Sequence, residues 1–159
     1  MVDTSKIKLV LLDVDGTMTD GGVYVTEEGK QFKKFHARDG MGIKLLQKVG
    51  IATGIISHSK STGMVTTRAE MLSMEHVYVG SRPKLEVLQE WQDKLGLDLS
   101  EVAYVGDDVN DLEIMQAVGL SACPADAVQA IKDISGIILT KKGGDGCVRE
   151  LVDEYLLKD

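Results

Sequence analysis

Short apolar runs and amphipathic segments alternate along the chain, and this alternation predicts its fold. Residues 7–12, 51–56, 77–79 and 102–105 form mostly apolar stretches with the length of buried β-strands. Segments that carry apolar residues at helical spacing separate these stretches. Strands that alternate with helices are typical of an α/β fold with a doubly wound, mainly parallel sheet.

The predicted helices have recognisable ends. Apolar spacing in residues 41–49 predicts a helix that stops at Gly50, and the spacing in residues 85–95 predicts another with Pro83 in its first turn. Further helices are predicted at about 61–72, at 111–118 before Gly119, and from about Cys147 onward, with additional elements at 125–133 and 137–139.

A β-hairpin is predicted between the first strand and the first helix. Residues 22–25 and 30–35 flank a polar turn, residues 26–29, which ends in glycine. Both short strands carry apolar side chains, and the open edges of an isolated hairpin favour pairing with another chain. We therefore expect a small insertion into the α/β domain that takes part in self-association.

Composition and net charge argue against some classes of function but add little about the fold. The chain has 159 residues, 43% hydrophobic and 27% charged, as expected for one domain that spans residues 1–159. A net charge of -7 argues against a nucleic-acid partner or a membrane surface. The sequence shows no signal-peptide pattern and no apolar run near the ~20 residues of a membrane span. We therefore expect a cytoplasmic protein in which Cys123 and Cys147 are free, buried thiols.

Two carboxylates follow the first predicted strand. Asp13 and Asp15 are close enough to raise each other's pKa unless a cation offsets their charge. Residues two apart in a strand point to the same side, so both could face one ligand. Gly16 permits a tight turn, and Thr17 can offer a hydroxyl and an N–H to a phosphate oxygen. A strand end with a capped turn would have a similar sequence, so this motif alone leaves the function open.

A second acidic cluster follows the predicted strand 102–105. It contains Asp107, Asp108 and Asp111. Because the carboxyl ends of parallel strands meet at one edge of a sheet, both clusters are expected at the same crevice. We predict a magnesium site there, with Asp107 as a ligand, while Asp108 and Asp111 orient the ligands or cap the next helix.

Two further polar residues fall where an anion could bind. Ser57 follows the run 51–56 and offers a hydroxyl to a phosphate, although it could equally cap a helix. Lys84 lies at a predicted helix start, where the helix dipole disfavours a cation. A nearby anion would explain Lys84, whereas a surface lysine is the alternative.

Together these motifs resemble those of the haloacid dehalogenase-like phosphotransferases. The resemblance implies a magnesium-dependent phosphatase in which Asp13 is the nucleophile and Asp15 is the general acid and base. It also implies that the phosphoryl group is held by Thr17, Ser57 and Lys84, and that Mg²⁺ is bound by Asp13, the carbonyl of Asp15, and Asp107.

The rest of the sequence resembles one group of that family that lacks a cap domain, the 3-deoxy-D-manno-octulosonate 8-phosphate (KDO 8-phosphate) phosphatases. Similar segments are 20–24, 35–43 and 143–150, and the short spacing between the motifs leaves no room for a cap. The resemblance implies a phosphorylated keto-deoxy sugar acid as the substrate. It also implies a homo-oligomer, a tetramer, in which a neighbour covers each pocket. Candidate substrate contacts are Arg38, Lys60 and Arg68.

The second motif departs from that group. Residues 58–60 are His-Ser-Lys, where these phosphatases have Gly followed by Arg, and a related phosphatase acting on KDN 9-phosphate has Glu in place of the Arg. The alternatives are therefore KDN 9-phosphate or another small phosphorylated metabolite, and a non-catalytic oligomerisation or regulatory domain. A signalling receiver domain uses similar residues, but its phosphorylated Asp ends the third strand and Asp13 ends the first.

Overall fold

The computed structural model describes residues 3–158, in which strands and helices alternate as the sequence predicts. The strands are β1 (Leu9–Leu12), β2 (Tyr24–Val25), β3 (Gln31–Phe32), β4 (Ala52–Ser57), β5 (His76–Val79), β6 (Val102–Val105), β7 (Leu120–Cys123) and β8 (Ile137–Ile138). The helices are α1 (Ala37–Lys48), α2 (Thr62–Met71), α3 (Lys84–Leu95), α4 (Leu112–Ala117), α5 (Gln129–Lys132) and α6 (Cys147–Leu151), which continues as a wider helical turn, Val152–Leu156. Among the described residues, no helix has the length and apolar character needed to cross a membrane.

A six-stranded sheet in the order β5-β4-β1-β6-β7-β8 forms the centre of the fold, and every neighbouring pair is parallel. β2 and β3 pair antiparallel as a separate hairpin. The predicted doubly wound parallel sheet and the hairpin insertion are therefore confirmed.

Both faces of the sheet are covered by helices, which explains why its strands are apolar without alternation. Val10 and Leu12 of β1 pack in one hydrophobic layer with side chains of α1, α2 and α6. Leu9 and Leu11 enter the opposite layer with side chains of α3, α4 and α5. β1 thus contributes to both halves of the core.

The sequence analysis did not predict β7. Its residues Leu-Ser-Ala-Cys are small and partly polar, so they give no clear hydrophobic pattern. β7 is nevertheless fully buried, because β6 and β8 flank it and helices cover its faces. Burial in the sheet, and not the intrinsic preference of these residues, makes this segment a strand.

The crevice of the fold lies at the carboxyl ends of three adjacent strands. β1 lies between β4 and β6, since the chain continues from β1 to one side and returns later on the other. Ligands bind beyond the strand ends at such a reversal of strand order. Asp13, Ser57 and Gly106 lie at these ends.

Candidate active site

The first acidic motif forms a tight turn directly after β1. The N–H of Asp13 donates to the carbonyl of Val105 at 3.0 Å, which ties the start of the turn to β6. Gly16 has a φ of 89°, and a Cβ at this position would lie 2.0 Å from Oδ2 of Asp107, so only glycine fits. Thr17 Oγ1 donates to Asp107 Oδ1 at 3.1 Å. The turn therefore connects the two acidic motifs.

Asp13 and Asp15 face different surroundings. Asp13 is only 5% exposed and contacts Lys84, whereas the Asp15 side chain is 49% exposed. Oδ1 of Asp15 accepts a hydrogen bond from Lys33 Nζ at 2.5 Å. The expectation that both carboxylates share one strand face is wrong, because the strand ends at Leu12 and Asp15 lies in the turn.

Lys84 is a buried cation at the centre of the site. Its ammonium donates to Asp13 Oδ1 and to Asp111 Oδ1, both at 2.7 Å, and to the Tyr104 hydroxyl at 3.0 Å. Burial alone would lower the pKa of Lys84, but the charges of Asp13 and Asp111 outweigh burial and raise it. The anion that the sequence predicts beside Lys84 is therefore present.

Asp111 orients the surrounding groups. Its Oδ1 accepts from Lys84 and, at 2.7 Å, from the Tyr104 hydroxyl, while its Oδ2 accepts from the N–H groups of Asp107 at 3.0 Å and Asp108 at 3.3 Å. These donors occupy roughly the four lone-pair sites of a carboxylate. Asp111 therefore suits the predicted orienting role better than that of a metal ligand.

Asp108 caps the helical turn that follows the second motif. Its Oδ1 accepts from the N–H of Val109 at 2.7 Å. The side chain points back to the backbone, so Asp108 has the capping role that the sequence analysis allowed.

Three carboxylates of the site lie close enough together to hold a divalent metal ion. Asp13, Asp107 and Asp111 each present an oxygen, and these atoms lie within 4.8 Å of one another. Burial, together with Asp13 and Asp111, raises the pKa of Asp107 to about 9. Such a cluster is stabilised by a cation, and hard oxygen donors suit Mg²⁺. Because donors already surround Asp111, Asp13 and Asp107 are the side chains that fit the predicted magnesium.

A groove lies between Asp15 of the first motif and the hairpin. It has a volume of about 400 Å³, and its lining includes Asp15, Lys33, His58 and Lys60. Ser57 is buried at the end of β4, where its Oγ accepts from the N–H of Ser59 at 3.0 Å and its hydroxyl proton remains available to a ligand. Lys60, a predicted substrate contact, therefore lines the groove that contains Asp15.

The other two predicted substrate contacts line different grooves. Arg38 is exposed beside α6 in a groove that includes Lys141 and Arg149. The guanidinium of Arg68 lies 5.4 Å from the centroid of the Phe35 ring in a mostly apolar groove. Within one chain, the structure does not bring Arg38 or Arg68 to the groove of Asp15.

A glycine loop, defined here as residues 140–146, braces the first motif from the far end of the chain. A Cβ on Gly143 would lie 1.8 Å from the carbonyl oxygen of Gly16, so the two backbones are in direct contact. The N–H of Gly144 donates to the carbonyl of Thr17 at 3.0 Å, and the Cys147 thiol contacts the same oxygen at 3.4 Å. Both cysteines are free and buried, as expected.

Two residues of the site escaped the sequence analysis. Tyr104 lies in a strand that the sequence predicts as apolar. Its hydroxyl is the signal that could have identified it, because a buried hydroxyl needs a hydrogen-bond partner. Lys33 gave no signal, because its contact with Asp15 depends on how the hairpin folds back over the turn.

Comparisons with known proteins show what the whole chain is similar to. The family model described as haloacid dehalogenase-like hydrolase matches residues 57–151. The chain is 37% identical over 157 residues to 3-deoxy-D-manno-octulosonate 8-phosphate phosphatase from Escherichia coli strain B. The matched residues cover 99% of this chain and 83% of that protein.

Solved structures show the same likeness. One is 3-deoxy-D-manno-octulosonate 8-phosphate phosphatase from Moraxella catarrhalis in complex with magnesium, phosphate and KDO, with 37% identity, a TM-score of 0.90, and coverage of 94% of this chain and 85% of that one. Another is the cobalt-bound deoxy-D-mannose-octulosonate 8-phosphate phosphatase from Haemophilus influenzae, with 33% identity, a TM-score of 0.89, and coverage of 94% and 87%.

Proposed function

This chain belongs to the haloacid dehalogenase-like hydrolases, and we propose that it removes the phosphate from KDO 8-phosphate through a phosphoaspartyl intermediate. The observation that carries the proposal is the buried Asp13, which Lys84 holds at 2.7 Å beside Asp107 at the carboxyl edge of the sheet. Relatives that share the fold and more than a third of the sequence bear the name of this phosphatase.

In the first step, a carboxylate oxygen of Asp13 attacks phosphorus while the bond from phosphorus to the sugar oxygen breaks. Lys84, Thr17 and Ser57 hold the phosphoryl oxygens, and the Asp15 carboxyl gives its proton to the leaving oxygen. Asp15 suits this role because its side chain faces the open groove, from which the sugar departs. The products are the free sugar acid and phosphorylated Asp13.

In the second step, water attacks the phosphorus of phosphorylated Asp13. Asp15, now ionised, accepts a proton from this water, and the bond between phosphorus and Asp13 breaks. Phosphate leaves, and both aspartates return to their initial states. Mg²⁺ held by Asp13 and Asp107 would supply the positive charge that lets a carboxylate approach a phosphate dianion.

The open groove supports a homotetrameric assembly, which the resemblance implies. The hairpin beside the groove exposes Val23 (80%), Val25 (59%) and Phe32 (56%). Apolar side chains at this exposure favour contact with a second copy of the chain, and such a contact would cover the groove. Multi-angle light scattering tests the assembly, and a stable monomer with full activity on the sugar phosphate would contradict it.

A panel of phosphate esters tests the function. Phosphate release is measured for KDO 8-phosphate, KDN 9-phosphate and common sugar phosphates, each with Mg²⁺ or with EDTA. We expect kcat/KM to be highest for KDO 8-phosphate by about tenfold or more, equivalent to ~1.4 kcal/mol in transition-state binding, and to vanish with EDTA. A preference for KDN 9-phosphate would assign the alternative substrate, and no release from any ester would favour the non-catalytic domain.

The covalent step has its own test. Rapidly quenched enzyme is digested and analysed by mass spectrometry for a phosphate adduct on the peptide that contains Asp13. We expect the adduct during turnover, and its absence under conditions of rapid phosphate release would contradict the intermediate.

A further inference from the structure

Lys33 is the side chain by which the hairpin touches the catalytic turn. Its Nζ lies 2.5 Å from Oδ1 of Asp15, although 18 residues separate the two in sequence. The Lys33 side chain is only 13% exposed, whereas that of Asp15 is 49% exposed. The lysine side chain is thus the more covered member of the pair, and the carboxylate of Asp15 compensates the charge of its ammonium.

The fold fixes the position of Lys33. An antiparallel bridge between Thr19 and Phe35 closes the base of the hairpin, and Thr19 is buried within the catalytic turn. Lys33 lies two residues before this bridge, just after β3. Its side chain lines both the groove of Asp15 and the apolar groove along α2. Most of its methylene stem is covered, since only 13% of the side chain is exposed, and its ammonium contacts Asp15.

The two aspartates of the first motif are thus oriented by two different lysines. Lys84 holds Asp13 inward, against the buried carboxylate cluster. Lys33 holds Asp15 outward, at the wall of the groove. Proton transfer requires a side chain within hydrogen-bonding reach of the reacting oxygen, and displacement of about 1 Å can cost as much as 10²-fold in rate.

We propose that Lys33 is a positioning residue that holds Asp15 in the groove for proton transfer, so that turnover depends on the placement of the hairpin. This inference rests on the proposed function, because it takes Asp15 as the acid and base of the reaction. It predicts an effect on kcat with little effect on KM, since Lys33 acts on the reacting groups through Asp15.

A double-mutant cycle tests the proposal. Phosphate release from KDO 8-phosphate is measured for the wild type, Lys33→Met, Asp15→Asn and the double variant. We expect Lys33→Met to lower kcat between roughly 10- and 100-fold, with KM within about threefold. In the Asp15→Asn background the same substitution should change kcat by less than about threefold, because residues that act as a unit are not additive. Lys33→Arg should recover most of kcat, since it keeps the cation and a donor.

Lys34→Met is the matched control, because Lys34 is the next residue of the hairpin and is exposed. It should leave kcat unchanged. Equal effects of Lys33→Met in both backgrounds would overturn the proposal, because Lys33 would then act independently of Asp15. An effect confined to KM would also overturn it and would make Lys33 a substrate-binding residue. Full activity of Asp15→Asn alone would instead contradict the proposed function, so the two failures are distinguishable.

Discussion

The candidate site has two halves that are held in very different ways. The buried half consists of Asp13, Lys84, Tyr104, Asp107 and Asp111, and it lies at the ends of the central strands with its polar groups hydrogen-bonded to one another. The hairpin half consists of residues 22–35. Its two strands are each two residues long, and its side chains Val23, Val25 and Phe32 are exposed.

The two halves differ in rigidity, and this difference predicts different effects of substitutions. A buried charge network on a parallel sheet is rigid, because any movement would leave charges without partners. A short hairpin has little burial of its own and depends on what packs against it. We therefore expect substitutions in the buried half to affect catalysis and folding stability, and substitutions of the apolar side chains of the hairpin to affect substrate binding and assembly.

The largest effect is expected at the nucleophile. Asp13→Asn should reduce kcat by roughly 10⁴-fold or more, because a neutral amide is a poor nucleophile although it is nearly isosteric. The fold should persist, since Lys84 keeps its contact with Asp111. Phosphate release and circular dichroism measure the two properties. Turnover near the wild-type rate would rule out attack by Asp13.

Removal of the buried cation should cause the largest loss in the free energy of unfolding. Lys84→Met leaves Asp13 and Asp111 buried without their ammonium partner, and breaking such a pair costs about 3–5 kcal/mol in the free energy of unfolding. Lys94→Met on the same helix is the control, because Lys94 is exposed and solvent screens its pair with Glu90. Urea unfolding of both variants measures the difference. Equal losses would mean that the buried network does not stabilise the fold.

The acidic cluster should give the metal-free protein an unusual dependence on pH. The pKa of Asp107 is about 9 in the folded chain, whereas a value of ~3.9 is expected in the unfolded chain. At pH values between these two pKa values, the folded chain therefore binds more protons than the unfolded chain. Stability without metal should therefore fall as pH rises through this window. Asp107→Asn should flatten that fall and reduce the increase in Tm on adding Mg²⁺. Scanning calorimetry measures both, and an unchanged magnesium response would place the metal elsewhere.

The smallest effect is expected from the aromatic pair of the hairpin. Tyr24 and Phe32 stack with ring centroids 4.9 Å apart, and Tyr24→Asp with Phe32→Asp should disrupt self-association and raise KM for the sugar phosphate several-fold. Hydrolysis of a small generic ester should change less, since it needs less of the covered groove.

Val49→Asp with Leu95→Asp is a control for this hairpin variant, because it adds the same charge at exposed apolar positions outside the hairpin. Light scattering and steady-state kinetics compare the two double variants. If both had the same assembly and KM, the hairpin would have no special role.

The sequence was most informative where the parallel sheet itself determines geometry. Asp13, Ser57 and Asp107 each follow a buried strand, and parallel strands place such residues at one edge regardless of loop details. The anion expected beside Lys84 from its place at a helix start is present as the carboxylates of Asp13 and Asp111.

The remaining features depend on three-dimensional packing. β7 lacks an apolar pattern and is a strand because its neighbours bury it. The different orientations of Asp13 and Asp15 follow from where β1 ends, and a difference of one or two residues in that end changes the direction of a side chain. The contact of Lys33 with Asp15 requires the folded hairpin, whose position no local sequence signal specifies.

The contact of the glycine loop with the first motif has a consequence for protein synthesis. Asp13 to Thr17 leave the ribosome early, whereas Gly143 and Gly144, which pack on that turn, are made after all the catalytic side chains named above. A nascent chain can therefore carry all the catalytic side chains named above while the carbonyl of Thr17 still lacks its donors. We expect phosphatase activity to appear only after the glycine loop has left the ribosome. Time-resolved synthesis in vitro would show this as a delay between exposure of residue 111 and the first phosphate release. Products that end before the glycine loop should have no phosphatase activity.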